Sequence, residues 1–277
     1  MKILQLPSGR EIPILGQGTW RMGEKASQKQ AEIDALKLGI DLGMTLIDTA
    51  EMYGEGGAEK IVAEAIANCR KEVYLVSKVY PFNASYKGVI AACNRSLSRL
   101  KTDYLDLYLL HWRGSIPLSE TLKGLQHLKQ VGKIRDYGVS NFDTDDMEEA
   151  ESLPGGKEIA TNQVLYNLMR RGIEWDLLPW CKDRNIPIMA YSPVEQRAFV
   201  NDSKLENIAA KYNATSTQIA LSWLLHQNNI ISIPKATNPK HIKQNRAALD
   251  IYLTPEDIQE IDRAFKPPSR KMNLAMR

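Results

Sequence analysis

From residue 27 almost to its end, the chain alternates short apolar runs with stretches of helical periodicity, and this alternation restricts the fold more than any other feature. It is the signature of parallel strands joined by crossover helices. The apolar runs are Thr45-Leu46-Ile47, Val73 to Val76, Leu105 to Leu110, a run ending at Val139, Ala160-Thr161, Pro187 to Ala190, Ile230 to Ile233 and a faint one over Leu249 to Leu253. Between them, Ser27 and Gln30 read as a capping box for a helix with Ile33, Leu36 and Ile40 on one face and Gly43 at its end. Further helices are expected over Ala58 to Asn68, over Tyr86 to Leu100, along the Leu118, Leu122, Leu125 and Leu128 face up to Gly132, and from the acidic DTDDMEEAE run, which starts one. A last one is capped by Thr254 with Pro255. Before the cycle, Ile3 to Leu6 and Ile12 to Ile14 flank Gly9 and read as a hairpin.

Eight strands with intervening helices predict a closed (β/α)8 TIM barrel of class α/β, with an N-terminal β-hairpin and a C-terminal helix and tail. A doubly wound sheet would alternate in the same way but should open on a glycine fingerprint, and no GxGxxG follows any predicted strand. The Gly54-Glu55-Gly56-Gly57 cluster lacks the lysine and hydroxyl of a phosphate loop and reads as a turn. At 277 residues the chain suits one barrel, so residues 1–277 are expected to form a single domain.

Thirty-six basic residues against 33 acidic ones, with no basic run interleaved with aromatics, give no sign of nucleic-acid binding. Cys69, Cys93 and Cys181 are odd in number and widely spaced, which implies neither a disulfide framework nor a zinc site. No stretch approaches the roughly 18 apolar residues of a membrane span, and the apolar run before Pro7 is too short for a signal peptide. A cytoplasmic, monomeric protein with no membrane or nucleic-acid partner is the expectation.

Polar residues stand where the apolar runs stop: Asp48, Lys78, His111, Ser140 with Asn141, Gln163, Tyr191 with Ser192, and Lys235. In a barrel of parallel strands these ends share one face, where an active site is built. Singly, each has a plain structural reading: Asp48 as a loop cap, Lys78 as a surface cation, His111 as a hydrogen-bonded core histidine. Together with Tyr53, five positions beyond Asp48, they form a proton-transfer set in which nearby positive charge lowers the phenol's pKa. One histidine and one acid fall short of a metal site, no GxSxG provides a nucleophile elbow, and no second strand-end acid supports a glycosidase.

Over nearly its whole length, from Leu15-Gly16-Gln17-Gly18-Thr19-Trp20 to the final helix, the chain resembles the aldo-keto reductase family. The resemblance rests on LIDTAEMYG at 46–54, VSK at 76–78, LDLYLLHW at 105–112, GVSN at 138–141, TNQ at 161–163, YSP at 191–193 and IPKA at 233–236. The AEMY, LHW and Lys271-to-Arg277 regions are most similar to bacterial members acting on methylglyoxal.

The resemblance implies that Tyr53 gives a proton to a carbonyl oxygen while NADPH delivers hydride to the carbon. It further implies that Lys78, paired with Asp48, tunes Tyr53, and that His111 orients the carbonyl or shares in proton transfer. Ser140, Asn141 and Gln163 are implied to hold the nicotinamide carboxamide, Tyr191 to stack on its ring, and Ser192 and Val194 to lie near the pyrophosphate. Lys235 is implied to meet the 2'-phosphate and Asn245 the adenine. Ala236 and His241 depart from the hydroxyl residue and arginine common in the family, so NADH stays open beside NADPH. Trp20, Tyr80 and Trp112 are expected to wall a pocket for a small carbonyl compound. Two other functions fit the same fold: an NADP(H)-binding sensor, which would bind cofactor without reducing carbonyls, and a barrel isomerase or hydrolase, which would ignore nicotinamide cofactors.

Overall fold

The strands, in chain order, are β1 (Ile3–Gln5), β2 (Glu11–Pro13), β3 (Gly16–Gly18), β4 (Leu46–Asp48), β5 (Tyr74–Val79), β6 (Leu105–Leu110), β7 (Ile134–Ser140), β8 (Ile159–Leu165), β9 (Ile188–Tyr191) and β10 (Ile230–Ser232). The structure, a computed structural model, describes residues 2–197, 199 and 202–277. β1 and β2 form an antiparallel hairpin whose turn uses Gly9 at φ +80°. β3 to β10 lie side by side in sequence order, every pair parallel. A bridge from Leu15 to Ser232, with Ser232 N donating to Ile14 O at 2.8 Å, brings β10 against β3 and closes the ring.

The helices are α1 (Lys29–Asp41), α2 (Gly57–Ala65), α3 (Tyr86–Leu100), α4 (Leu118–Gln130), α5 (Thr144–Ser152), α6 (Leu177–Asp183), α7 (Ser203–Lys211), α8 (Ser216–Leu225), α9 (Pro239–Ala247) and α10 (Pro255–Ala264). Among the described residues, no helix is long and apolar enough to cross a membrane. The acidic run after β7 starts α5 through a capping box of Asp143 and Asp146, and Thr254 with Asp257 does the same for α10.

Strand alternation sorts the core into two layers. Leu46, Val76, Leu107, Leu109, Met189 and Ile231 fill the barrel interior, where Leu6 and Ile12 of the hairpin region join them. Their neighbours Ile47, Leu75, Tyr108, Leu110, Ile188 and Ile230 face outward onto the helices. The hairpin is held to one end of the barrel partly by Ser8 Oγ, which donates to the buried Asp136 carboxylate at 3.0 Å.

Two expectations from the sequence are corrected. The segment Leu249 to Leu253 is not the eighth strand: it contains a short 3-10 turn at Ala248–Asp250, and β3 takes the place in the barrel. β3 carries glycines instead of an apolar run because its neighbours press on its backbone. A Cβ on Gly16 would meet Leu46 Cγ at 2.6 Å, and one on Gly18 would meet Ile233 O at 2.9 Å. Ser27 and Gln30 do not form a capping box. A 3-10 turn at Ala26–Gln28 leads into α1 with no side-chain cap, and Gln30 Nε2 donates instead to Asp34 at 2.8 Å.

Candidate active site

The same alternation carries polar side chains into the barrel at its C-terminal end. Leu46 points inward, so Asp48 does too; Tyr74 and Val76 bring Lys78, and Leu107 and Leu109 bring His111. Lys78 is fully buried, and its Nζ donates to Asp48 Oδ2 at 2.7 Å, to Thr49 O at 2.9 Å and to Tyr53 OH at 3.3 Å. Tyr53 comes from the loop after β4, where Gly54, Glu55 and Gly56 all adopt positive φ. Gly56 sits at φ +84°, a left-handed backbone that favours glycine, and a Cβ there would also push on the Arg99 side chain, whose Cδ would lie 2.6 Å away. The GEGG cluster is thus the turn that presents Tyr53. Glu51 braces the loop, accepting from Tyr80 N at 2.8 Å and Asn83 Nδ2 at 2.9 Å. The His111 ring meets Tyr53 edge-on with centroids 5.7 Å apart.

Burial decides the charge states. It pushes the Tyr53 phenol above its ordinary value of 10.0, and the Lys78 ammonium pulls down against that without reversing it. The net shift is therefore opposite to the one expected from charge proximity alone, and the phenol keeps its proton at neutral pH. Burial works against the Lys78 ammonium, yet Asp48 and Tyr53 outweigh it and raise the pKa above 10.5, so the lysine stays charged. His111, desolvated and beside that cation, is pulled down to about 2 and is a neutral imidazole. Its Nδ1 is buried with no partner, a polar atom left over for something the protein itself does not provide.

Ser140, Asn141, Gln163 and Tyr191 form one hydrogen-bonded platform beside this group. Ser140 Oγ donates to Gln163 O at 2.8 Å, Asn141 Nδ2 to His111 O at 3.1 Å and to Ser140 Oγ at 3.2 Å, and Tyr191 OH to Asn141 Oδ1 at 3.0 Å. Gln163 Nε2 donates to Asp48 Oδ1 at 2.8 Å, tying the platform to the Lys78 pair across 115 residues of sequence. Gln163 reaches the interior through a bulge: between the pairs Tyr137–Ile159 and Val139–Asn162, β8 spends three residues against two in β7. The extra residue switches the parity of β8, so that Ala160 and Gln163 both serve the inner face.

Val194, Lys235 and Asn245 line a cavity of about 540 Å³ together with Lys240 and His241. Lys235 stands on its exposed edge, and incomplete hydration in the cavity wall draws its pKa below the ordinary lysine value. The lysines, the Asn245 amide and the platform of amides and hydroxyls suit the phosphate, adenine and carboxamide groups of a nicotinamide dinucleotide, and the unpartnered His111 Nδ1 faces the same requirement for a ligand. Ser192, at φ +47°, lies in sequence between Tyr191 of the platform and Val194 of this cavity. A second cavity, about 420 Å³ between the tail and the loop after β8, is lined by none of Asp48, Tyr53, Lys78 and His111.

Of the three expected pocket aromatics, the structure brings together two. Trp112 lies 4.8 Å from the His111 ring centroid and 5.1 Å from that of Tyr80, with Phe82 a further 5.1 Å beyond Tyr80. Trp20 is 41% exposed and carries the Arg21 guanidinium over its ring at 4.4 Å. Sequence reasoning missed Glu195 and Arg277, an ion pair at the rim with no strand-end signal to reveal it.

A model of the aldo/keto reductase family matches residues 14–266. The chain is 49% identical to methylglyoxal reductase YeaE of Escherichia coli (strain K12), over 99% of each chain. It is 34% identical to a glyoxal reductase of Bacillus subtilis (strain 168), over 94% of this chain and 91% of that one. The crystal structure of an aldo/keto reductase from Klebsiella pneumoniae in complex with NADP and acetate is similar with a TM-score of 0.97 at 48% identity, each chain covered to 99%.

Proposed function

This chain belongs to the aldo/keto reductase family, and from that premise we propose that it is an NADPH-dependent reductase of aldehydes and small dicarbonyls of the methylglyoxal kind, working as one domain over residues 1–277. The observation that carries the reading is the fully buried Lys78, paired with Asp48 at 2.7 Å and donating to the Tyr53 oxygen. Because the ammonium occupies a lone pair of that oxygen, the phenolic hydrogen is free to point at a carbonyl.

When bound, NADPH supplies the hydride for the carbonyl carbon. Tyr53, protonated at neutral pH, gives its proton to the carbonyl oxygen, so hydride and proton together yield the alcohol. The Lys78 ammonium stabilises the phenolate left behind, and Asp48 keeps that ammonium charged in its dry setting. His111, neutral, directs an N–H at the carbonyl oxygen and holds its angle; with a pKa near 2 it does not carry the transferred proton. Ser140, Asn141 and Gln163 would hold the carboxamide, Tyr191 would offer its ring to the nicotinamide, and Trp112 and Tyr80 would wall the carbonyl's other side.

A steady-state screen with NADPH and NADH in parallel, using methylglyoxal, a simple aldehyde and an open-chain sugar, tests the reading. Oxidation of cofactor with methylglyoxal is the expected result, and tight NADPH binding with no turnover of any carbonyl would overturn it in favour of a sensor.

The kcat of reduction is expected to show no histidine inflection between pH 6 and 9 and to fall only above pH ~10, where the raised Tyr53 group starts to ionise. An inflection in kcat near the ordinary histidine value would mean that His111 titrates. For Lys235→Ala, the NADPH KM should rise roughly 10-fold, the lower end for a charge-assisted hydrogen bond because this lysine is exposed, while the NADH KM stays put. Equal changes for both cofactors would remove Lys235 from the 2'-phosphate.

A further inference from the structure

Glu195 joins three segments at the rim of the barrel. It is 4% exposed and follows directly on Tyr191–Val194. Its Oε1 accepts from Arg277 Nη2 at 2.7 Å and from Arg170 Nε at 3.2 Å, and its Oε2 accepts from Asn167 Nδ2 at 2.7 Å. Asn167, itself fully buried, also donates to Ser192 O at 2.9 Å. Arg277 makes a second contact with the same turn, its backbone N donating to Tyr191 OH at 3.3 Å. The tail therefore grips the 191–195 turn at both ends.

The turn needs such support. Ser192, Glu195 and Gln196 all have positive φ, at 47°, 43° and 51°, a backbone region that residues with side chains occupy only when surrounding contacts enforce it. A buried carboxylate also requires partners, and here they come from the loop after β8 and from the tail. Elsewhere the tail is held by Leu274 against the core and by Lys271 to Asp145 and Asp176, the last two being exposed pairs of little strength. Arg277 is its one attachment to a buried charge among the described residues.

We propose that Glu195 is a positioning residue that fastens the tail, through Arg277, to the turn carrying Ser192 and Val194, so that a docked tail strengthens NADPH binding. The inference rests on the reading of Tyr191–Val194 as a cofactor loop. Neither Glu195 nor Arg277 lines the cavity around Lys235, so the effect on the cofactor is transmitted by the turn. Linkage makes it reciprocal: a bound cofactor stabilises the docked tail to the same degree. Removing Arg277 leaves Glu195 with Arg170 and Asn167, so the turn loosens without a buried charge being stranded.

The test is NADPH affinity, read by fluorescence titration, in the parent protein and in Arg277→Ala, Arg277→Lys, Glu195→Gln, the Arg277→Ala/Glu195→Gln double variant and Tyr191→Ala. Arg277→Ala should weaken NADPH about 5- to 10-fold with kcat at saturation retained, Arg277→Lys should recover most of the loss, and Glu195→Gln should add little on top of Arg277→Ala. Hydrogen exchange supplies a readout that a merely structural role would not move: NADPH should slow exchange of the tail amides in the parent and not in Arg277→Ala. An Arg277→Ala affinity within about twofold of the parent, while Tyr191→Ala binds NADPH weakly, overturns the coupling alone. Unchanged NADPH affinity in Tyr191→Ala overturns the cofactor-loop reading and the coupling with it. Should Glu195→Gln fail to fold, the two Arg277 variants and the exchange experiment still decide the matter.

Discussion

Tyr53→Phe is expected to lower kcat for methylglyoxal by about 10²–10⁴-fold, the usual contribution of a positioned general acid, and to leave NADPH affinity within about twofold. The substitution removes one oxygen from a ring that keeps its edge-on contact with His111. Lys78 loses its 3.3 Å contact to the phenol but retains Asp48 and the Thr49 carbonyl, so the cation stays satisfied and the fold is undisturbed. The loss corresponds to roughly 2.7–5.4 kcal/mol of barrier. Turnover within about threefold of the parent would show that the carbonyl oxygen takes its proton elsewhere, with water or His111 the candidates.

Asp48→Asn should damage both stability and catalysis. The Asp48 and Lys78 side chains are 3% and 0% exposed, so the variant leaves an ammonium in the barrel interior without its counter-charge. Breaking a buried pair in this way costs about 3–5 kcal/mol. For a chain of this size that is a fall in Tm of roughly 5–9 °C. The desolvation that Asp48 and Tyr53 now outweigh would then favour neutral lysine, and Tyr53 would lose the cation that stabilises its phenolate. The double variant Asp48→Asn/Lys78→Met separates the two effects. With neither charge left, Tm should return most of the way toward the parent while kcat stays low, and a double variant no more stable than Asp48→Asn would mean that the pair's packing, not its charge, holds the interior.

Both predictions concern residues that were legible without coordinates, and the reason lies in strand geometry. Asp48, Lys78 and His111 each sit an even number of positions from an apolar residue that fills the barrel, at Leu46, Val76 and Leu109. A period of two therefore delivers them to the interior at the end of the strand where the apolar layer stops. β3 escaped the same reasoning because its signal is glycine, imposed by the close approach of Leu46 and Ile233. The run at Leu249 to Leu253 supplied a false eighth strand, since apolar residues there pack as a turn beneath α8, with Ser222 Oγ donating to Ile251 O at 2.6 Å. Trp20, expected in the same pocket wall as Tyr80 and Trp112, is 41% exposed just after β3 and carries the Arg21 guanidinium over its ring.

The alternating pattern and the polar strand ends were thus enough to specify a parallel barrel with a tyrosine, a lysine, an aspartate and a histidine at one mouth. Local periodicity carries that information, because strand direction and side-chain parity follow from neighbouring residues. What the tertiary structure decided depends on groups distant in sequence. The bulge in β8 turns Gln163 toward Asp48, burial outweighs the Lys78 charge at Tyr53 and keeps His111 a neutral imidazole, and Arg277 meets Glu195 across 82 residues. Desolvation and long-range hydrogen bonds arise only once the chain has closed on itself, and it is they that set which residue holds the proton and which segment meets the 191–195 turn.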